Sequence, residues 1–174
     1  SMTRDNGTPS PDLFYYTFSG AKVHYQGKGF LGFSSMVAVN NTTGMSTEST
    51  FNFDTDYFYP KIALVSNKKY STLLSTETYE WDRQVISGKR IFPFISKIYK
   101  SNILNGQTLS TEYGYYSTYG NLQRLKTNYG SGIAKESVFS YNDEKISSYL
   151  IGRATGITET YWRGGLLSNK SSSI

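Results

Sequence analysis

Gly27-Lys28-Gly29-Phe30-Leu31-Gly32-Phe33 decides how this chain is read. It spells G-x-G-x-x-G, and as a phosphate cradle it needs a strand before it and a helix opening directly after it. The strand is there, because Lys22, His24 and Gln26 alternate with Val23 and Tyr25. The helix is not, because residues 33–40 lean to β and run straight into Asn40-Asn41. Glycine accepts positive φ and close backbone approach. The stretch therefore reads as a packed corner between two strands. Gly27, Gly29 and Gly32 set the corner, and Phe30 and Phe33 pack it. A valine at Gly29 is expected to unfold or aggregate the chain.

The same reading extends outward. The chain has 174 residues, enough for one domain, and 16% of them are aromatic, with 16 Tyr and 10 Phe. Tyr, Phe, Thr, Val and Ile favour pleated surfaces, and no segment keeps a helical apolar spacing over three turns. Strand-like alternation recurs at 14–19, 22–26 and 47–53, and further strands are read at 109–116, 122–129 and 154–162. Short apolar or β-branched runs fill 36–39, 62–65, 91–103, 133–141 and 146–151, and a Thr-rich run spans 70–81. Turn signals separate them at Ser19-Gly20, residues 40–44 and 85–89, Asn105-Gly106 (a type I′ candidate), Gly120-Asn121, Gly130-Ser131-Gly132 and Asn142-Asp143. The expected fold is all-β, an antiparallel meander of hairpins with almost no helix. Residues 1–12 read as a disordered lead-in, opening on Ser1-Met2 as a tag remnant. Residues 13–163 read as the β domain and 164–174 as a flexible tail.

Several chemistries lose their footing here. The net charge of +5 is spread along the chain, so a nucleic-acid groove is not expected. No cysteine is present, which removes disulfides, thiolate nucleophiles and Cys-ligated zinc. No apolar run approaches a membrane span, and no signal peptide is visible. The single histidine, His24, lies on the polar side of its strand without the marks of a catalytic triad. No cofactor and no resident metal are expected.

Asp54 and Asp56, flanked by Phe53, Tyr57, Phe58 and Tyr59, form the strongest ligand candidate. Two carboxylates spaced this way suit a weak calcium contact or a carboxylate pair, and Tyr57 and Tyr59 offer faces for sugar stacking. The plain alternative is an acidic loop whose aromatics anchor it to the sheet.

One unit looks like part of a repeat: Tyr116-Ser117-Thr118-Tyr119-Gly120-Asn121-Leu122, with Gly130 eight residues on. An aromatic ends one strand, Gly120 and Asn121 turn, and an apolar residue opens the next. This resembles the YD-repeat of Rhs proteins, with Ser117 in the usual Asp position. The glycine-rich corner, preceded by residues 16–20, resembles the GRGFLGF segment of the B component of bacterial toxin complexes and of related wall-associated proteins, with Lys28 for Arg. Residues 149–158, with Gly152-Arg153 at a strand start, are similar to a further segment of that family. The resemblance covers about residues 13–163. It implies a non-enzymatic wall segment of a β-shell in a secreted or cell-surface bacterial protein, enclosing a C-terminal toxin or effector. Other segments of the parent polypeptide would then be its partners, and unpaired sheet edges would favour a homodimer. The alternative function is a β-sheet module that binds a glycan or protein through residues 53–59.

Overall fold

The computed structural model describes residues 2–4, 7, 12–87, 90–115, 120–141 and 154–173. These residues form strands and turns, with no helix among them. The strands are β1 (Met2–Arg4), β2 (Asp12–His24), β3 (Gly29–Asn40), β4 (Met45–Phe53), β5 (Pro60–Lys69), β6 (Thr72–Ser87), β7 (Arg90–Asn102), β8 (Gln107–Tyr115), β9 (Leu122–Gly130), β10 (Ile133–Tyr141), β11 (Ala154–Arg163) and β12 (Leu166–Ser173). They hydrogen-bond in the order in which they occur, the all-β meander that the alternation implies. The chain divides into two compact units, Ser1–Tyr79 with Lys100–Gly106, and Glu80–Tyr99 with Gln107–Ile174.

In the first unit, opposed residues line up across four ladders. Phe18 faces Met36, Met36 faces Ser49, Ser49 faces Val65 and Val65 faces Glu77. The neighbouring row is stitched by side chains. Thr47 Oγ1 donates to Asn67 Oδ1 at 2.8 Å, and Asn67 Nδ2 donates to Ser75 Oγ at 3.1 Å. Cross-strand pairs of this kind each contribute about 0.2–1 kcal/mol.

Burial in this unit is unusual in kind. Its buried side chains are Ser49, Asp54 and Ser66, and no apolar side chain among the described residues is fully buried. A small residue on a central strand is covered by the longer side chains around it. Ser66 lies between Glu48 and Thr76 in the register, whereas Ile62, Leu64 and Val65 on the same strand are half-buried.

The second unit carries a connected run of charged side chains. Glu112 faces Lys126, Lys126 faces Glu136 and Glu136 faces Thr160. Lys97 on β7 pairs with Glu112 at 3.0 Å, Arg124 reaches Glu112 at 4.0 Å, and Arg124 also bonds Glu136. Lys126 lies over the Trp162 ring, 5.3 Å from its centroid. The buried side chain here is again a serine, Ser137, between Leu125 and Glu159.

Several expected boundaries move. Ser19-Gly20 does not turn; β2 runs through it, because Ser19 pairs with Ser35 and Ala21 with Phe33 on either side, and Ser34 Oγ donates to the Gly20 carbonyl at 3.0 Å. The hairpin closes instead at residues 25–28. Asn105-Gly106 belongs to a four-residue turn, 103–106, in which Asn102 Oδ1 accepts the Leu104 amide. Residues 85–87 continue β6 where a turn was expected.

The two ends differ as well. Within the expected lead-in, Met2–Arg4 pairs with Asp12–Phe14. The expected tail is β12, in register with β11 from Arg163↔Leu166 to Gly156↔Ser173. Backbone pairing needs no apolar side chain, and the turn at Gly164-Gly165 returns this Ser-rich strand to β11. The expected strand at 146–151 and the Asn142-Asp143 turn lie outside the described residues.

Candidate functional site

Two connections in the first unit come together: the β2–β3 turn at residues 25–28 and the β4–β5 loop at residues 54–59. The loop is built around Asp54. Its Oδ1 accepts the backbone amides of Asp56 and Tyr57, each at 3.0 Å, and its Oδ2 pairs with Lys61 Nζ at 3.2 Å. The main chain closes the same ring, with the Asp54 amide donating to the Tyr59 carbonyl and the Phe58 amide to the Asp54 carbonyl, both at 3.0 Å. An aspartate that caps its own loop in this way is the usual chemistry of an Asx turn. Burial pushes the Asp54 carboxyl up. The amides of Tyr57 and Asp56, with Lys61, more than offset this and leave it below its ordinary value.

Phe58 is held at φ +59°, a left-handed conformation uncommon for a bulky residue. Three contacts fix it. His24 meets its ring edge-on at 4.1 Å between centroids, Lys28 Nζ lies 4.9 Å from its centroid, and Lys28 also donates to the Tyr57 carbonyl at 2.9 Å. Tyr59 sits under Lys61 Nζ at 5.8 Å. His24 is thus half-buried against the loop, where its strand position had suggested a solvent-facing side chain. The sequence does not single out Lys61, and nothing in it links His24 or Lys28 to this loop. A pattern of alternation carries no signal for contacts between residues 29 to 34 positions apart.

The glycine-rich stretch resolves into two devices. Gly27 lies in the turn and Gly29 opens β3, both at positive φ. Pairing then steps from Lys22↔Gly32 to Val23↔Phe30, so Leu31 is the extra residue of a bulge. Phe30 and Phe33 do pack, with ring centroids 5.1 Å apart, and Phe18 joins Phe33 at 4.9 Å. They do not plug a core. Phe30 is 59% exposed.

Gly120 and Asn121 lie just before β9, and a β-carbon on Gly120 would meet the Phe92 ring at 3.0 Å. Tyr116, Gly152 and Arg153 lie outside the described residues, so the repeat turn is seen only in its second half.

Chemically, the loop is an anchored corner. The carboxylate of Asp54 is committed to two amides and a lysine, and Asp56 alone of the pair is exposed. Among the described residues no three His, Cys, Asp or Glu side chains gather to hold a metal ion, and no helix is long and apolar enough to cross a membrane. Comparison with known proteins finds no matching protein family and no matching curated protein.

Proposed function

We propose that this chain is a structural wall segment of the Rhs/YD-repeat kind, part of a secreted or cell-surface bacterial shell around a C-terminal toxin or effector. It is not an enzyme in this reading. One observation carries it. The strands pair in simple succession, yet no described apolar side chain is fully buried, while Tyr15, Tyr16 and Phe18 stand 45%, 43% and 48% exposed. Sheet faces that apolar are normally covered by another layer, and in a shell that layer is the rest of the polypeptide and what it encloses.

The loop at 53–59 supports the same reading. Its aromatics and Asp54 spend their contacts on fixing the loop, so the calcium, carboxylate-pair and sugar-stacking readings find little left to work with. A glycan array probed with the chain tests the choice between wall segment and binding module. A wall segment gives no saturable binding. Saturable binding that a Tyr57→Ser, Tyr59→Ser variant loses would overturn the proposal in favour of the module.

A further inference from the structure

β12 ends the order in which the strands hydrogen-bond, so among the described residues one of its two edges has no partner strand. Alternate residues of an antiparallel strand turn their N–H and C=O groups to opposite sides, and those not bonded to β11 face outward. Native edge strands are blunted by proline, by a bulge or by being very short. β12 has no proline, and it keeps one register with β11 from Arg163↔Leu166 to Gly156↔Ser173.

The side chains along this edge specify what it takes. Leu166 and Leu167 are 78% and 57% exposed, and Lys170 is exposed further along the strand. Lys170 stands opposite Glu159, but the Glu159 carboxylate is bonded by Lys135 and by the Tyr161 hydroxyl. Among the described residues Lys170 makes no ion pair. Charge thus alternates from Lys135 on β10 to Glu159 on β11 to Lys170 on β12, and a carboxylate on an added strand continues the series. Opposite charges across a strand pair stabilise it and like charges destabilise it. A second copy of this chain does not offer that carboxylate at its end strands, because β12 holds no acid and β1 is Met2–Arg4.

We propose that the outer edge of β12 takes an extended segment of another polypeptide as an added antiparallel strand. That segment carries an acidic residue opposite Lys170 and, three residues further on, an apolar residue opposite Leu167. Main-chain bonds supply affinity in such strand addition, and side chains supply the choice of partner. β11 has the same pattern on the inner edge, with Glu159 opposite Lys170 and Trp162 opposite Leu167. The edge is present whether or not the chain is a wall segment.

The probe is a peptide with the sequence of residues 156–163, added to the whole chain while amide hydrogen exchange is followed by NMR. The β12 amides that point away from β11 are expected to gain protection saturably, and the β11 amides to keep theirs. A peptide with lysine in place of its glutamate should bind about two- to fivefold more weakly, the size of a solvent-exposed ion pair. Lys170→Gln, a change at an exposed position, should remove most of that difference. No saturable protection overturns the added strand, and so does protection gained at the expense of β11, which would mean that the peptide replaces β11. Equal binding of the two peptides to the natural chain overturns the acidic assignment. Protection that rises with chain concentration in the absence of peptide overturns the choice of partner and gives the edge to a second copy.

Discussion

At the scale of single residues, two glycines with the same φ separate backbone strain from steric contact. Gly29 and Gly44 both sit at +71°. A β-carbon on Gly29 would meet nothing within 4 Å, whereas one on Gly44 would run into the Tyr70 ring. Tyr70 is itself left-handed, at φ +54°, and donates its amide to the Gly44 carbonyl at 2.7 Å. The tyrosine thus covers the glycine of the adjacent turn, as aromatic residues cover bare glycines in sheets. Gly29→Ala is expected to cost about 1–2 kcal/mol, the penalty of a left-handed L-residue. Gly44→Ala pays the same strain and also displaces Tyr70, so it should cost about 1 kcal/mol more, in line with the usual cost of overpacking. Urea unfolding of the two variants checks this, and equal losses would mean that the Tyr70 contact carries no weight. The same geometry softens the expectation for valine at Gly29. The open space there leaves strain as the main cost.

At the scale of elements, the ladder of β7 to β10 holds its strands by charge. Lys97 lowers the Glu112 carboxyl by hydrogen bond and by charge, against a smaller opposing push from burial, and Arg124 and Lys126 add to the effect. The Lys97 ammonium is raised in turn, by Tyr99 first and Glu112 second. A carboxyl lowered in the folded state contributes stability above its unfolded value and loses it as pH falls through the folded one. For Glu112 the contribution is therefore complete above its ordinary 4.5 and disappears below it. A double-mutant cycle with Lys97→Met and Glu112→Gln should give a coupling of about 0.2–1 kcal/mol at neutral pH, because both side chains are partly exposed. The coupling should vanish in acid, and one that persists there would assign it to packing of the lysine stem.

Elements also mark what the sequence made legible. Strand patterning placed β4, β9, β10 and β11 within a few residues, since a residue's face follows directly from a period of two. It misplaced the first hairpin because Ser19-Gly20 is locally a turn signal, and the continuous ladder to β3 outweighs that local preference. It missed β12 because Leu166–Ser173 has no apolar pattern and is held by main-chain bonds to β11. The loop at Asp54 was visible as a cluster of acids and aromatics. Its partners His24 and Lys28 were not, since they reach it only once β3 and β4 have folded back.

At the scale of the whole molecule, the scarcity of buried apolar side chains has a calorimetric consequence. The heat capacity of unfolding rises with apolar surface exposed, and ordinary globular domains give about 12–15 cal/mol/K per residue. Among the described residues the buried side chains are serines and one aspartate, and residues as large as Tyr25, Tyr70 and Leu104 are 98%, 75% and 73% exposed. Such surface is already hydrated before unfolding and adds little to the change. The chain as a dilute monomer should therefore unfold with a heat-capacity increment clearly below the ordinary range. Scanning calorimetry with light scattering at several concentrations decides this. An increment that climbs into the ordinary range only as the chain associates would mean that association covers the apolar faces, as a wall segment requires. An ordinary increment in a strict monomer would mean that the sheet already buries those faces against itself, and the wall reading would lose the observation on which it stands.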